Sequence, residues 1–237
     1  MNKKVRELYK QSIGRWIPAY GLLPLIACFA MNCLVYWGSH NLVQNKKHYD
    51  LTSKLDNQVP FVKEWVIIYV VCYFFWAINY ILISREGRDK CYRFVFADLL
   101  SRLICGIIFI VYPTTNLRPT VAGSDFTSWL MNFIYRIDPA TNLFPSIHCL
   151  VSWFCFVGIR GSKKLPLWYK VFSCIFAVLV FASTQFTKQH YLIDVVGGIV
   201  IAEVCFYIAN HTKIYVRLKR PFVWAEQRIF GEVSDDE

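Results

Sequence analysis

Long apolar stretches constrain this chain more than any other feature of its sequence. A helix needs about 20 mostly apolar residues to cross a bilayer. Only 18% of the 237 residues are charged, whereas a soluble domain carries about 25% charge. The sequence therefore predicts one all-α, polytopic membrane domain over residues 1–237, a bundle of six transmembrane helices. The predicted spans are residues 16–37, 65–84, 91–112, 139–159, 168–187 and 190–209.

The net charge of +10 raises the alternative of a nucleic-acid partner. The Lys and Arg residues, however, stand in short clusters beside apolar runs, which is typical of membrane topology and predicts no nucleic-acid partner. They are dense in the N-terminal segment, the second and fourth loops and the C-terminal tail, and sparser in the third and fifth loops. The first loop is the exception, with four lysines (Lys46, Lys47, Lys54 and Lys63) beside three acidic residues. Because positively charged loops tend to stay inside, we expect cytoplasmic termini and extracytoplasmic odd-numbered loops. The plasma membrane is the expected location, since no sorting signal for another membrane is evident.

The stretch DFTSWLMNFIYRIDP predicts an amphipathic helix at the outer membrane surface. Its apolar residues follow helical spacing, Asp125 is placed to cap its start, and Asp138-Pro139 ends it. Such a helix either lies in the interface and shapes an entry for lipid, or simply packs on its neighbours. The apolar stripe consists of Phe126, Trp129, Leu130, Phe133, Ile134 and Ile137.

Polar residues gather in three places on the predicted outer side. Arg118 lies in the third loop, Ser146 and His148 stand in the fourth span, and Lys188, His190 and Asp194 stand at the start of the sixth. Ionisable groups are costly inside a bilayer and usually serve a function there. Helix N-termini and cations suit a phosphate, so the three clusters together predict an anion site for a lipid phosphate.

Each candidate residue has a chemical role and a structural alternative. His190 and Asp194 are four apart, so they are expected to share a helix face, where the carboxylate can fix the imidazole tautomer and leave the other nitrogen to attack phosphorus. His148 can protonate the leaving oxygen, and Arg118 can hold two phosphate oxygens. Ser146 can donate to the phosphate or merely cap its helix. Each of these residues alone is more typical of a membrane interface or a helix end, and the prediction rests on their co-occurrence.

At these residues the chain resembles the type 2 phosphatidic acid phosphatase family. The family's three motifs are Lys, six residues, Arg-Pro; Pro-Ser-Gly-His; and Ser-Arg, five residues, His, three residues, Asp. The matching positions here are Arg118-Pro119, Pro145-Ser146-Ile147-His148, and Ser183-Thr184 with His190 and Asp194. The resemblance covers about residues 90–210.

The resemblance implies an extracytoplasmic active site without a metal or organic cofactor. His190 would become phosphohistidine, Asp194 would orient it, and His148 would be the general acid. Arg118 and Ser146 would bind the phosphate of a membrane lipid. The oligomeric state stays open.

Three departures from the motifs bear on the reaction. Val111, Thr184 and Ile147 stand where the family has Lys, Arg and Gly, and Lys188 is placed to restore part of the lost charge. The spellings FPSIH and TKQHYLID resemble the branch containing inositol phosphorylceramide synthases, which also lacks that arginine.

Three alternatives for the function follow from these departures. Hydrolysis of a lipid phosphate is the first prediction, because no clear pocket for an alcohol is evident and water is abundant at a membrane face. Gln185, Gln189 and Tyr191, around the nucleophile, are nevertheless able to donate hydrogen bonds to a polyol. Transfer of a phosphoryl or phosphorylated headgroup to a lipid alcohol is the second. A lipid-binding or lipid-moving protein without catalysis is the third; the two missing cations favour it, and the retained His148, His190 and Asp194 oppose it.

Overall fold

The computed structural model describes residues 3–231 of the chain, with the side chains of residues 7–231. The residues 1–2 and 232–237, which the predicted domain also covers, lie outside this part. Ten α-helices occur in the described residues, with two short strands, Tyr49–Asp50 (β1) and Thr114–Thr115 (β2), which pair in parallel. The helices, α1 to α10 in chain order, are Lys3–Gln11, Ala19–Val43, Lys54–Gln58, Val66–Ser84, Arg88–Val111, Phe126–Ile137, Ile147–Arg160, Leu167–Phe186, Leu192–His211 and Tyr215–Phe230.

Five of the described helices are long and apolar enough to cross a membrane. They are α2, α4 (with the 3-10 turn before it), α5, α8 and α9, and they correspond to five of the six predicted spans. The predicted all-α, multi-pass membrane architecture is therefore confirmed. The first span begins three residues later than predicted, at Ala19. Pro18 occupies the N-cap position, and proline lacks the backbone N–H that a position inside a helix needs.

The predicted span at 139–159 is wrong in its first part. The helix there, α7, begins only at Ile147 and has 14 residues, or about 21 Å at 1.5 Å per residue, short of the ~30 Å hydrocarbon core. Residues 139–146 form an irregular segment. The backbone N–H groups of Leu143 and Phe144 in this segment donate to Thr114 Oγ1, which follows α5, at 3.0 and 2.9 Å. Non-helical backbone is tolerated at membrane depth when the protein itself satisfies it.

The ends of the long helices alternate, so one end of the bundle collects the segments that carry the predicted site. At this end β1, which follows α2, pairs with β2, which follows α5. The N–H of Val62, just before α4, donates to the carbonyl of Phe186 at the end of α8, at 2.9 Å. The N–H of Ser146, before α7, donates to the carbonyl of Asp194 in α9 at 3.1 Å. We call this the site end of the bundle.

Two adjacent glycines let α9 approach the start of α7. A Cβ atom at Gly198 would lie 2.8 Å from the carbonyl oxygen of Ser146, and one at Gly197 would lie 2.7 Å from the Phe144 ring. Side chains at either position would push the two helix starts apart. The glycine pair therefore fixes the distance between the segment that holds His148 and the helix that holds Asp194.

The predicted amphipathic helix is confirmed as α6, Phe126–Ile137. Asp125 caps it by accepting the N–H of Ser128 at 3.0 Å. Phe126, Trp129, Phe133 and Ile137 of the predicted stripe are exposed, while Ile134 is buried against the bundle. The helix thus contacts its neighbours on one side and presents a row of large apolar side chains on the other.

The ionisable residues within the long helices are paired. Arg102 Nη2 lies 3.0 Å from Asp98 Oδ1, and both side chains are buried in α5. Glu203 of α9 accepts two hydrogen bonds from Arg160, at 2.7 and 3.0 Å, and one from Trp153 at 2.9 Å. Glu203 is therefore engaged with the last turn of α7, away from the site end of the bundle.

Candidate functional site

His190 lies in the turn before α9 and is held through one ring nitrogen. Its Nδ1 is 3.1 Å from Asp194 Oδ2 and 3.1 Å from the carbonyl oxygen of Leu143. Asp194 is fully buried, and its Oδ2 also accepts the N–H of Tyr191 at 3.0 Å. Because both neighbours of Nδ1 are acceptors, that nitrogen carries the proton and the lone pair lies on Nε2.

One detail of the sequence prediction needs correction. His190 and Asp194 do not share a helix face, because α9 begins at Leu192 and His190 precedes it. Asp194 caps the start of α9 by accepting the backbone N–H of Tyr191, so His190 lies outside the helix. The spacing of four residues still brings the carboxylate to the imidazole, now across the first turn.

His148, the second residue of α7, faces His190 across the site. The two ring centroids are 5.8 Å apart. Two tyrosines of α4 hold the His148 ring: Tyr69 Oη lies 3.4 Å from Nδ1, and Tyr73 Oη lies 3.1 Å from Nε2. The Tyr69 ring also stacks on it, with centroids 4.4 Å apart. A histidine at the start of α7 and a histidine in the turn before α9 thus face each other across the site.

Asp138 is a half-buried acid that links two predicted site residues. Its carboxylate accepts hydrogen bonds from Tyr36 and, at 2.6 Å, from Tyr69. Burial acts to raise the pKa of Asp138, but the charges of His148 and Arg118 and the two hydrogen bonds outweigh it, and the pKa lies below its usual value. Because Tyr69 donates to this anion, its oxygen is left to accept from His148 Nδ1.

The sequence had marked Asp138 only as the end of a helix. The sequence did contain a signal for a functional role, since an ionisable residue stands there between two apolar segments, and such residues usually have a function. Its partners Tyr36 and Tyr69 are distant in sequence, and only the fold brings them together.

Arg118 follows β2 and is held in the site by two contacts. Its Nη1 donates to the backbone carbonyl of Asp138, and its guanidinium lies over the Tyr135 ring, 4.7 Å from the centroid. Its buried Nε has no hydrogen-bond partner among residues 7–231. A fixed cation with an unused N–H group is suited to an anionic ligand.

Ser146 and Lys188 are both near the site, in different circumstances. Ser146 is fully buried, and its Oγ accepts the N–H of Cys149 at 3.2 Å, which is the capping role that the sequence left open. Lys188 has a left-handed backbone (φ 52°), and its amine donates to the carbonyl oxygens of Val59 and, at 2.8 Å, of Asp56. Burial holds the pKa of the Lys188 amine below its usual value. Phosphate binding by either residue stays a prediction.

Two cavities meet at His190 and Arg118, which line both of them. The first, the polar cavity, measures about 340 Å³ and is lined further by Thr52, Asp56, Asn57, Asn116, Gln185 and Lys188. The second, the aromatic cavity, measures about 260 Å³, contains the His148 and Gln189 side chains, and is lined further by Tyr36, Trp37, Tyr73 and Trp76. A ligand with a polar and an apolar part thus has a matching space on each side of His190.

The three motif departures lie in different surroundings. Val111 is three-quarters exposed at the end of α5. Thr184 is buried, and its carbonyl accepts the N–H groups of Gln189 and His190 at 2.9 and 3.2 Å, so it shapes the turn that carries His190. Ile147 is buried at the start of α7. Lys188, the cation predicted to restore part of the lost charge, lines a cavity that His190 also lines.

No group of three or more His, Cys, Asp or Glu side chains suited to hold a metal ion occurs in the described part of the chain. Within it, the polar groups that line the cavities are amides, hydroxyls, two histidines and two cations, apart from Asp56 and Asp138. Both of these carboxylates are already engaged by hydrogen bonds from other protein groups. The arrangement is that of an anion site.

Comparison with known proteins gives one match. Neither the curated proteins nor the solved structures include a significant match to this chain. Residues 55–208, a range that contains His148, His190, Asp194, Arg118 and Asp56, match the family model described as the PAP2 superfamily. The chain therefore belongs to the PAP2 superfamily, whose members are phosphatases and phosphotransferases.

Proposed function

We propose that this multi-pass membrane protein is a lipid phosphatase that hydrolyses a lipid phosphate through a phosphohistidine at His190. One observation carries the proposal. The Nδ1 of His190 is occupied by Asp194 and the Leu143 carbonyl, while its ring faces His148 at the junction of a polar and an aromatic cavity. This geometry supports a nucleophile, an orienting carboxylate and a proton donor around one bound phosphate.

In the first step, His190 Nε2 attacks phosphorus and the bond from phosphorus to the lipid oxygen breaks. His148, protonated at Nε2, gives that proton to the departing oxygen, so the lipid leaves as an alcohol. Asp194 stabilises the positive charge that develops on the His190 ring, since it accepts the Nδ1 proton. The product of the step is phosphohistidine and a neutral His148.

In the second step, water attacks the phosphohistidine. His148 takes one proton from the water as its oxygen bonds to phosphorus, and the nitrogen–phosphorus bond breaks. Inorganic phosphate leaves and both histidines return to their starting states. Throughout, Arg118 balances the charge on the phosphate oxygens with its unpaired N–H, and the starts of α7 and α9 add the positive ends of two helix dipoles.

The roles of the tyrosines and Asp138 follow from the same scheme. Tyr69 and Asp138 hold His148 Nδ1 through a chain of hydrogen bonds, which orients the ring and offsets part of the cost of burying the imidazolium that the first step needs. Tyr73 lies at the other nitrogen, at 3.1 Å, where the substrate oxygen would displace it. These residues are positioning residues and do not contact the reacting atoms.

A second function, transfer to an alcohol, is favoured by the polar cavity. Its hydroxyl, amide, carboxylate and ammonium groups beside His190 are suited to a polyhydroxylated group, and a bound alcohol there would compete with water for the phosphohistidine. Of the three residues that the sequence offered as hydrogen-bond donors to a polyol, Gln185 and Tyr191 line this cavity. The superfamily contains both reaction types.

Product analysis separates hydrolysis from transfer. Purified protein would be given lipid phosphates and lipid phosphodiesters, each with and without diacylglycerol, ceramide or inositol, and free phosphate and new lipids would be followed. We expect free phosphate from a lipid phosphate without any acceptor. If a new phospholipid accumulates only with an acceptor and free phosphate never forms, the chain is a transferase.

The orientation of the chain is also part of the proposal, with the site end outside the plasma membrane and both termini in the cytoplasm. We expect an impermeant thiol reagent to label Ser124→Cys in intact cells and to leave Lys163→Cys unlabelled; both positions are exposed, and they lie in the third and fourth loops. The parent chain gives the background, since its nine cysteines are buried or half-buried. Labelling of position 163 alone would reverse the orientation.

A further inference from the structure

The aromatic cavity contains buried polar atoms that nothing in the described part of the chain satisfies. They are the side-chain oxygens of Asn32 and Asn142 and both polar atoms of the Gln189 amide. Asn142 and Gln189 are 5% and 1% exposed. Buried polar atoms are almost always paired in folded proteins, so unpaired ones that line a cavity beside two histidines point to a ligand with complementary groups.

The orientation of the Asn142 amide is determined by its other contact. Its Nδ2 donates to Ser39 Oγ at 2.9 Å. Ser39 gives its own single proton to the Val35 carbonyl, so its oxygen can only accept from Asn142. The Asn142 oxygen is therefore the unpaired atom, and an oxygen of this kind requires a hydrogen-bond donor from the ligand.

Both amides lie beside groups that hold His190. Asn142 precedes Leu143, whose carbonyl contacts His190 Nδ1 at 3.1 Å, and Gln189 precedes His190 itself. The backbone of Asn142 is left-handed (φ 55°), a conformation that Asn tolerates better than most residues. The amides are therefore placed to meet the part of a ligand nearest its phosphate.

Resting on the proposed function, we infer that the preferred substrate carries a hydroxyl or amide N–H on the carbon next to its phosphate ester carbon, and that Asn142 and Gln189 select for it. A glycerol linker with both remaining oxygens esterified offers acceptors alone. It satisfies the Gln189 N–H but leaves the Asn142 oxygen unpaired. A linker with a free donor satisfies both amides.

A matched pair of lipids tests the inference. One is 1-oleoyl-glycerol 3-phosphate, which has a free 2-hydroxyl, and the other is its 2-O-methyl ether, in which a methyl group replaces the donor hydrogen and the oxygen stays an acceptor. The readout is kcat/KM for release of the lipid alcohol, a product common to hydrolysis and transfer. We expect the wild-type chain to prefer the hydroxyl lipid by roughly 10- to 100-fold, the effect of leaving a buried partner unpaired.

Two variants assign the preference to the named residues. In Asn142→Gly, the glycine tolerates the left-handed backbone conformation of this position. In Gln189→Met, the methionine side chain has nearly the same volume as glutamine. We expect each to lower the ratio of the two kcat/KM values toward one. The ratio is an internal control, because a partly unfolded variant loses both rates together and keeps it.

The outcomes are distinguishable from a failure of the proposed function. Equal turnover of the two lipids by the wild-type chain overturns the inference and leaves the phosphatase intact. A preference that both variants keep overturns the roles of Asn142 and Gln189. No release of either alcohol, together with no acid-labile phosphate on the protein from any lipid phosphate, overturns the proposed function and the inference with it.

Discussion

Replacing His190 with alanine will abolish both turnover and the covalent phosphate on the protein. The proposed mechanism has no second route, since the nitrogen that attacks phosphorus and later releases it belongs to this side chain alone. His148 cannot take its place, because its ring is held by Tyr69 and Tyr73 of α4 on the other side of the site. The measurement is acid-labile phosphate trapped from a radiolabelled lipid phosphate, alongside product release.

His211→Ala is the matched control for this prediction. His211 is the last residue of α9 and is exposed at the end opposite the site, so its loss removes an imidazole from the same segment without touching the cavities. We expect wild-type rates for this variant. Wild-type turnover in the His190 variant would disprove the assignment, and acid-labile phosphate that persists there would move the nucleophile to another residue.

The long helices were predictable because their sequence pattern is local. About 20 apolar residues without charge have few alternatives in a bilayer. The segment 139–146 was not predictable in the same way. Its Leu143, Phe144 and Pro145 are as apolar as the residues of a span, but its backbone donors go to Thr114, and no local pattern reveals a partner 29 or 30 residues away.

The candidate site likewise consists of residues that local motifs predict and residues that only the fold brings together. His190, Asp194 and His148 stand in motifs whose spacing implies their proximity, and the structure brings them together. The Leu143 carbonyl and the Tyr69–Asp138 pair complete the site through contacts between residues 47 and 69 positions apart. No sequence motif identifies groups of that kind. Ser146 also lies within a motif, but its observed contact is a helix cap, so its binding of phosphate stays a prediction.

Replacing Asp194 with asparagine will lower kcat by a factor on the order of 10⁴, the loss seen when an orienting carboxylate becomes an amide in a catalytic triad. Asn offers one oxygen to two N–H groups, those of His190 and Tyr191, which Asp194 Oδ2 now satisfies. If its NH₂ faces His190 instead, the ring must present a lone pair at Nδ1 and a proton at Nε2. That tautomer cannot attack phosphorus, and the neutral amide does not stabilise the imidazolium.

Glu203→Gln is the matched control, since it makes the same chemical change nine residues along α9. Glu203 is bound to Arg160 and Trp153 far from the cavities, so its neutralisation should alter stability and leave kcat nearly unchanged. Single-turnover kinetics adds a sharper criterion, because an orienting carboxylate acts in both steps. Asp194→Asn should therefore slow formation and breakdown of the phosphohistidine together. If only breakdown slows, Asp194 activates the attacking water, and the orienting role is wrong.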